Sequence, residues 1–398
     1  MQRFLTSSSI VGMICGQLIV LSAWGSLLAQ DPDDPAALSG FGGAEAQSLI
    51  DRPTLTNGDE RVFRLFYRIQ KLSDQQIAAA ADRTQDLHTL ATRTDRFQFR
   101  VQRVRGVVDR IIKVKSPATY AEDIPHYFRS FLRGENGERA VILSLHAPSV
   151  WARAETLNEP VEFDGFLMGS LTSPDVEQPV PHFVGSHFVW RPMNDNGLGL
   201  SDGKLELAKA GFNLALLDDI ERNNRLPLKI DENTAFFSLL ETVSSISAQE
   251  QSASPNSTKA ANLLDLIRRP QMRAGDRVAL QGRVVKVIPI FASDNVDPSQ
   301  KLKPQYYQVQ LSVPLGKTQV TVDFDNSEQL VFRNRFPVTV VVPSRFVDAP
   351  NLKKKQIDID GFMYRFWSYQ SEFSKMNEVE SGQCGPMIFA TQIDVAAT

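Results

Sequence analysis

"VEFDGFLMGS" at 161–170 and "IDIDGFMYRF" at 357–366 carry the same Asp-Gly-Phe step inside two alternating segments. In the first, Val161, Phe163 and Gly165 share one strand face, with Glu162 and Asp164 on the other. In the second, Ile357 and Ile359 stand against Asp358 and Asp360. A glycine at the matched position of both strands predicts a bulge or tight coil, where a side chain would obstruct a curved sheet.

Working outward, further matches appear in the same order. "RGVVDRIIKV" (105–114) parallels "QGRVVKVIPI" (281–290), and "HYFRSFL" (126–132) parallels "YYQVQLS" (306–312). "APSVW" (147–151) is matched by "VPSRF" (342–346), and "PHFVGSHFVW" (181–190) by "PMIFATQIDV" (386–395). A helical pattern precedes each block. Val62, Leu65, Phe66, Ile69 and Leu72 lie on one face, as do Phe236, Leu239, Leu240, Val243 and Ile246, each pair 174 residues apart. Five apolar positions at constant offset inside a longer ordered match indicate an internal duplication: a helical segment plus a β-domain, twice.

The first copy holds five strand patterns: Phe97–Val114, His126–Leu132, Ala140–His146, Val161–Leu171 and Pro181–Trp190. Asn136-Gly137 is a hairpin turn signal between the second and third. A long first strand whose alternation changes phase near Gln102-Arg103, followed by a hairpin, fits a small closed barrel. The second copy has an extra stretch, "GKTQVTVDFDNSEQLVFRNRFPVTVV", long enough for another strand and turn. The expected fold class is mainly β with α-helical connectors, in two tandem helix-plus-small-β-barrel repeats.

On "GVV" in the first strand, the "DGF" strand and the closing "PMIFATQI" strand, each repeat resembles an OB-fold, with an SH3-like barrel as the alternative. The arrangement is similar to exported tandem-repeat proteins of bacterial envelopes.

The expected organisation is an N-terminal export segment (1–29) and a flexible linker (30–58) before the first repeat, made of a helical segment (59–95) and barrel (96–192). A helical connector (193–230) leads to the second helical segment (231–270) and barrel (271–398). Residues 1–29 combine a short positive start with an uncharged apolar run, then "QDPDDP". This is the build of a secretory signal cleaved after Ala29, or of an uncleaved anchor of about 20 residues. Either places the rest outside the cytoplasm, periplasmic or bound to the cell envelope. The net charge of −3 over 398 residues argues against nucleic acid or anionic membrane as a partner. Removal of Cys15 would leave Cys384 as the sole cysteine, in a loop between strands, so no internal disulfide is expected.

Catalytic and cofactor signatures are absent from the sequence: no HExxH, phosphate loop, dinucleotide fingerprint or nucleophile elbow. "GFGGAE" (40–45) has glycines without the strand and apolar helix a phosphate loop needs, and "DFDNSEQLVFRN" departs from a calcium loop at its glycine and final glutamate positions. The five histidines (88, 126, 146, 182 and 187) all fall in the first copy and read as ordinary barrel residues, so no metal ligands and no cofactor are expected. One ligand surface is suggested, Arg96, Arg100, Arg103 and Arg105 interleaved with Phe97 and Phe99; a solvated arginine face is the simpler reading. Trp151, Trp190 and Trp367 are candidates for exposed sugar-stacking rings but suit the core better. The expected function is a non-enzymatic envelope scaffold or protein-interaction module, with carbohydrate or anionic-polymer binding as the alternative and an enzyme with scattered residues as the remaining one.

Overall fold

A computed structural model describes residues 43–154, 156–229, 233–250, 263–268, 273–291, 305–323, 329–344, 349–371 and 382–396. The export segment, the first part of the linker and "SASPNSTKAAN" lie outside the described residues. Among those described, no helix is long and apolar enough to cross a membrane.

The first barrel consists of β1 (Val101–Lys115), β2 (His126–Arg133), β3 (Arg139–Ser144), β4 (Glu159–Ser173) and β5 (Val176–Gly185), with a short β6 (Phe188–Trp190) on β4. Its hydrogen-bonding order is β1-β2-β3-β5-β4, and β4 returns to β1. The second barrel, from β7 (Arg277–Ile290), β8 (Tyr306–Asp323), β9 (Gln329–Pro343), β10 (Gln356–Tyr369) and β11 (Gln383–Val395), closes in the same order. In each, the third and fifth strands run parallel and the other pairs of the barrel antiparallel. This Greek-key closure of five strands is the OB-like arrangement rather than the SH3-like alternative.

The helices follow the duplication. Before barrel 1 come α1 (Gly43–Asp51), α2 (Glu60–Ile69), α3 (Asp74–Ala80), α4 (Leu87–Thr92) and α5 (Thr94–Phe97). The connector holds α6 (Asp202–Lys209) and α7 (Leu217–Arg222), and repeat 2 opens with α8 (Asn233–Glu250) and α9 (Leu263–Arg268). Helix α2 lies on β5 and α8 on β11, the equivalent strand. Their matched faces are buried: Val62, Leu65, Phe66 and Ile69 in one, and Phe236, Leu239, Leu240, Val243 and Ile246 in the other. Local signals start these helices where the apolar pattern starts. The Asp59 carboxylate accepts the Arg61 amide at the head of α2, and Ser73 with Gln76 forms a capping box on α3.

Several expectations need correcting. The first strand begins at Val101, because Thr94–Phe97 coils into α5 and Phe99 turns through φ +67°. The fifth pattern breaks at Ser186-His187, giving β5 and β6. The linker is helical from Gly43, and the connector helix is interrupted at Gly211, φ +101°. Among the described residues, the extra stretch of repeat 2 adds no strand. It lengthens the β8–β9 hairpin, with an irregularity between Pro314 and Gln319. Cys384 sits on β11 inside barrel 2, fully buried, not in a loop.

The glycine of the repeated stretch acts through close approach in both copies. A Cβ on Gly361 would lie 2.1 Å from the Phe389 carbonyl oxygen, beside a register shift between Asp360 and Gly361. At Gly165 it would meet the Phe163 ring at 2.4 Å, and the register shift comes slightly later, between Leu167 and Gly169.

Among the described residues, three apolar clusters form the core. One fills barrel 2 and another covers the outside of barrel 1 beneath α1 and α2. The third runs from inside barrel 1 (Val104, Phe163, Phe183) past Trp151 and Trp190 and through connector residues Leu207, Phe212 and Ile220. It ends on α8 and the outer face of barrel 2 at Phe362, Tyr364 and Phe389. Trp151, Trp190 and Trp367 are all buried.

Candidate functional site

Two places in the fold have the geometry of a site. The first is the end of barrel 1. Side chains alternate along a strand, so 140, 142 and 144 on β3 and 183 and 185 on β5 point inward. Along these rows the interior changes character, from Ala140, Ile142 and Phe183 to Ser144 and Gly185, and then to His146 and His187 just past the strand ends. The parallel register pairs Ser144 with Gly185, and the His146 amide continues the ladder to the Ser186 carbonyl at 3.0 Å. The two imidazoles are therefore neighbours and stack, 4.3 Å between centroids and 10° between planes.

Carboxylates from two other elements reach His187. Asp74, in the first turn of α3, places Oδ1 3.2 Å from Nδ1, which also lies 2.8 Å from Ser186 Oγ. Asp219, on α7 of the connector, places Oδ2 3.1 Å from Nε2. The latter approach is off the line of a hydrogen bond, so Nε2 is buried without a hydrogen-bond partner. Arg222, one turn on, holds the other Asp219 oxygen at 3.0 Å. Burial pulls the His187 pKa down, but the carboxylates of Asp219 and Asp74 outweigh it and raise it to about 9. His146 goes the other way, to about 4, through burial first and then the charge of His187. Next door, Asp218 accepts both the Ser149 amide and hydroxyl, at 2.6 and 2.7 Å.

Barrel 2 differs at every equivalent position. Matching the two registers places Gln102, Ser130 and Ser144 against Val278, Val309 and Val342. The barrel 1 trio is fully buried, and its side-chain polar atoms have no hydrogen-bond partners. The same matching puts His146 and His187 against Ser344 and Gln392. The histidine cluster thus belongs to the first repeat alone.

The second place is a groove of about 680 Å³ on the outside of barrel 2. It crosses β7, β8 and β9 and reaches the facing ends of β10 and β11. Gln310, Ser312, Arg333, Arg335, Tyr369 and Gln383 supply polar lining, and Val285 and Val331 are exposed apolar side chains at its wall. Val285 is pushed out by a bulge between Val284 and Lys286. The arginines are lightly tethered: Arg333 Nε donates to Gln319 at 3.2 Å, and Arg335 lies 3.4 Å from the Ser312 oxygens.

The arginines singled out from sequence are placed differently from one another. Arg103 and Arg105 lie on the outward face of β1, directly opposite Asp164 and Glu162 of β4. Arg103 grips Asp164 with Nε and Nη2 at 2.6 and 2.5 Å, and Arg105 Nε donates to Glu162 at 2.8 Å. Arg96 is exposed on α5, its guanidinium 5.9 Å from the Phe97 ring centre, and Arg100 is half-buried before β1. Phe99 is buried. The stretch secures barrel closure through carboxylates on its own sheet. Barrel 2 repeats the device, with Arg277 on Asp360, so the aspartate of "DIDG" is held in an ion pair.

No protein-family model matches this chain, and no curated protein is significantly similar to it. Among solved structures, a deletion mutant of the single-stranded DNA binding protein from Thermus aquaticus matches at 12% identity and TM-score 0.17, over 31% of this chain and 52% of that one. The chain therefore spans about half the length of that protein. The protein PriB from Ralstonia solanacearum matches at 8% identity and TM-score 0.15, over 30% of this chain and 97% of that one. Likenesses this slight say nothing about what this chain binds.

Proposed function

We propose that this chain is a non-enzymatic exported envelope protein, a two-barrel binding scaffold whose second barrel takes a hydroxyl-rich anionic polymer of the cell envelope. The observation that carries the reading is the barrel 2 groove. OB-type barrels bind oligosaccharides on the face of their second and third strands, which are β8 and β9 here. The lining suits such a chain: amide and hydroxyl groups of Gln310, Ser312 and Gln383 for sugar hydroxyls, and Arg333 and Arg335 for acidic groups. Val285 and Val331 offer apolar surface for the carbon faces of the rings. Export rests on the composition of residues 1–29.

The test is binding of the full chain in detergent to three immobilised polymers: a uronate polysaccharide, a neutral polysaccharide and a polyphosphodiester. Preference for either acidic polymer, lost at least tenfold in the Arg333→Ala/Arg335→Ala double variant, supports the reading. Binding to none of them, together with specific cross-linking to an envelope protein, replaces it with the protein-interaction scaffold.

A further inference from the structure

We propose that His146, His187 and Asp219 bind a single divalent transition-metal ion of the zinc class, with Asp74 holding the ring of His187 from behind. The Nδ1 of His187 faces the Asp74 carboxylate at 3.2 Å and the Ser186 hydroxyl, so the Nδ1–H tautomer satisfies that side of the ring. Nε2 then presents a lone pair to Asp219 Oδ2 only 3.1 Å away, off any hydrogen-bond line. Two such atoms so close need a cation between them, and the off-line angle suits an ion better than a hydrogen-bonded proton on Nε2. A metal ion meets that requirement and uses the lone pair.

The donor set is of the right kind. Imidazole nitrogen and carboxylate oxygen are the ligands that zinc-class ions take, at about 2.0–2.2 Å. Tetrahedral bonds of that length put ligand atoms about 3.4 Å apart. One donor atom from each of His146, His187 and Asp219 already lies within 4.8 Å of the others. The His187–Asp219 edge is at ligand spacing. The remaining closure falls to His146, whose ring is parallel to that of His187 and must tilt to share an ion; its amide is held to the Ser186 carbonyl, so the tilt is a turn of the side chain alone. A solvent molecule completes the shell. Asp74 on Nδ1 supplies the carboxylate–histidine–metal relay that fixes tautomer and ring angle.

The two repeats diverge at this end of the barrel. The matched end of barrel 2 ends in Ser344 and Gln392 over a valine-lined interior, while barrel 1 has buried Gln102 and Ser144 without hydrogen-bond partners beneath its two histidines. Packing alone is met by the valines. The ion would tie three separate elements, the ends of β3 and β5 and connector helix α7, at one point.

The test uses tag-free full chain in detergent, stripped of metal and titrated with Co²⁺ followed by Zn²⁺ competition. The expected result is one Co²⁺ per chain, with visible ligand-field absorption of a four-coordinate site that Zn²⁺ abolishes, and a higher unfolding midpoint with Zn²⁺. Asp219→Asn and His146→Ala should each weaken binding at least tenfold. Asp74→Asn should weaken it roughly 10–100-fold without removing a ligand. His88→Ala, at an exposed histidine paired with Glu138, is the control and should bind as wild type. Circular dichroism identifies any variant that fails to fold. Absence of saturable Co²⁺ binding by folded wild-type chain overturns the proposal, as does binding unchanged in both Asp219→Asn and Asp74→Asn.

Discussion

Arg103 and Asp164 face each other across the β1–β4 seam of barrel 1, joined by two hydrogen bonds of 2.6 and 2.5 Å. Both side chains are mostly shielded, at 15% and 9% exposure. Removing one partner strands a shielded charge. Asp164→Ala is expected to cost about 2 kcal/mol, and the Arg103→Ala/Asp164→Ala double variant less than the sum of the two single variants. Urea unfolding of the four proteins gives the coupling energy; strict additivity would show that the pair contributes nothing to closure.

Gly361 should tolerate no side chain. Its would-be Cβ meets a backbone oxygen, which cannot swing aside, so Gly361→Ala is expected to lose about 3 kcal/mol or more. Gly137 is the comparison. It has φ +88° but open space around it, and Gly137→Ala should cost only about 1 kcal/mol of backbone strain. Thermal unfolding of both variants checks the ordering.

Leu65 and Leu239 occupy the same place in the two repeats, and each is almost fully buried against its barrel. Alanine at either is expected to cost about 2–5 kcal/mol. If the duplication preserved the packing, the two losses agree within about 1 kcal/mol, which is read by denaturant titration.

His182 makes acid stability measurable at one residue. Burial pushes its imidazole down to about 4, the Val180 carbonyl at 2.8 Å pulls the other way, and Arg129 adds to the depression. The unfolded chain takes a proton near pH 6.5 while the native state does not. Stability is therefore complete above about pH 6.5 and falls as the pH drops toward 4, by about 3 kcal/mol in all. The difference in unfolding free energy between wild type and His182→Gln should follow that window. A difference that stays flat from pH 7 to pH 4 would refute the assignment.

Cys384 is the thiol counterpart. Burial raises its pKa to about 12, so disulfide reagents should label it only as fast as barrel 2 opens. Labelling rates measured against urea concentration should track unfolding; rapid labelling of native protein would contradict its burial.

The barrels were legible because strand alternation is a local signal, and the duplication because two copies of it can be aligned. What escaped was set by backbone geometry or by distance along the chain. Nothing in "RTDRFQFR" distinguishes a strand from the turn of α5 and the reversed φ at Phe99. The histidine cluster depends on a parallel register that brings 146 beside 187, then on Asp74 and Asp219 arriving from separate helices. One trace was present: His146 and His187 each extend an inward-facing row, an unusual place for a histidine. The arginine stretch misled for the opposite reason. Its partners Glu162 and Asp164 lie in the very segment that announces the fold, but only strand pairing sets them opposite.

The apolar seam through the connector bears on how the chain is made. When β6 emerges from the export channel, barrel 1 has all its strands, yet Trp151 and Trp190 still lack the connector residues Phe212, Leu214 and Leu217 of the same apolar cluster. His187 still lacks Asp219. The first repeat is therefore finished only after some thirty more residues have crossed, and the seam then exposes connector and α8 side chains that the outer face of barrel 2 must bury. A newborn chain presents sticky surface throughout that interval, so stalling or truncation between the barrels should yield an aggregating fragment rather than a half-sized protein.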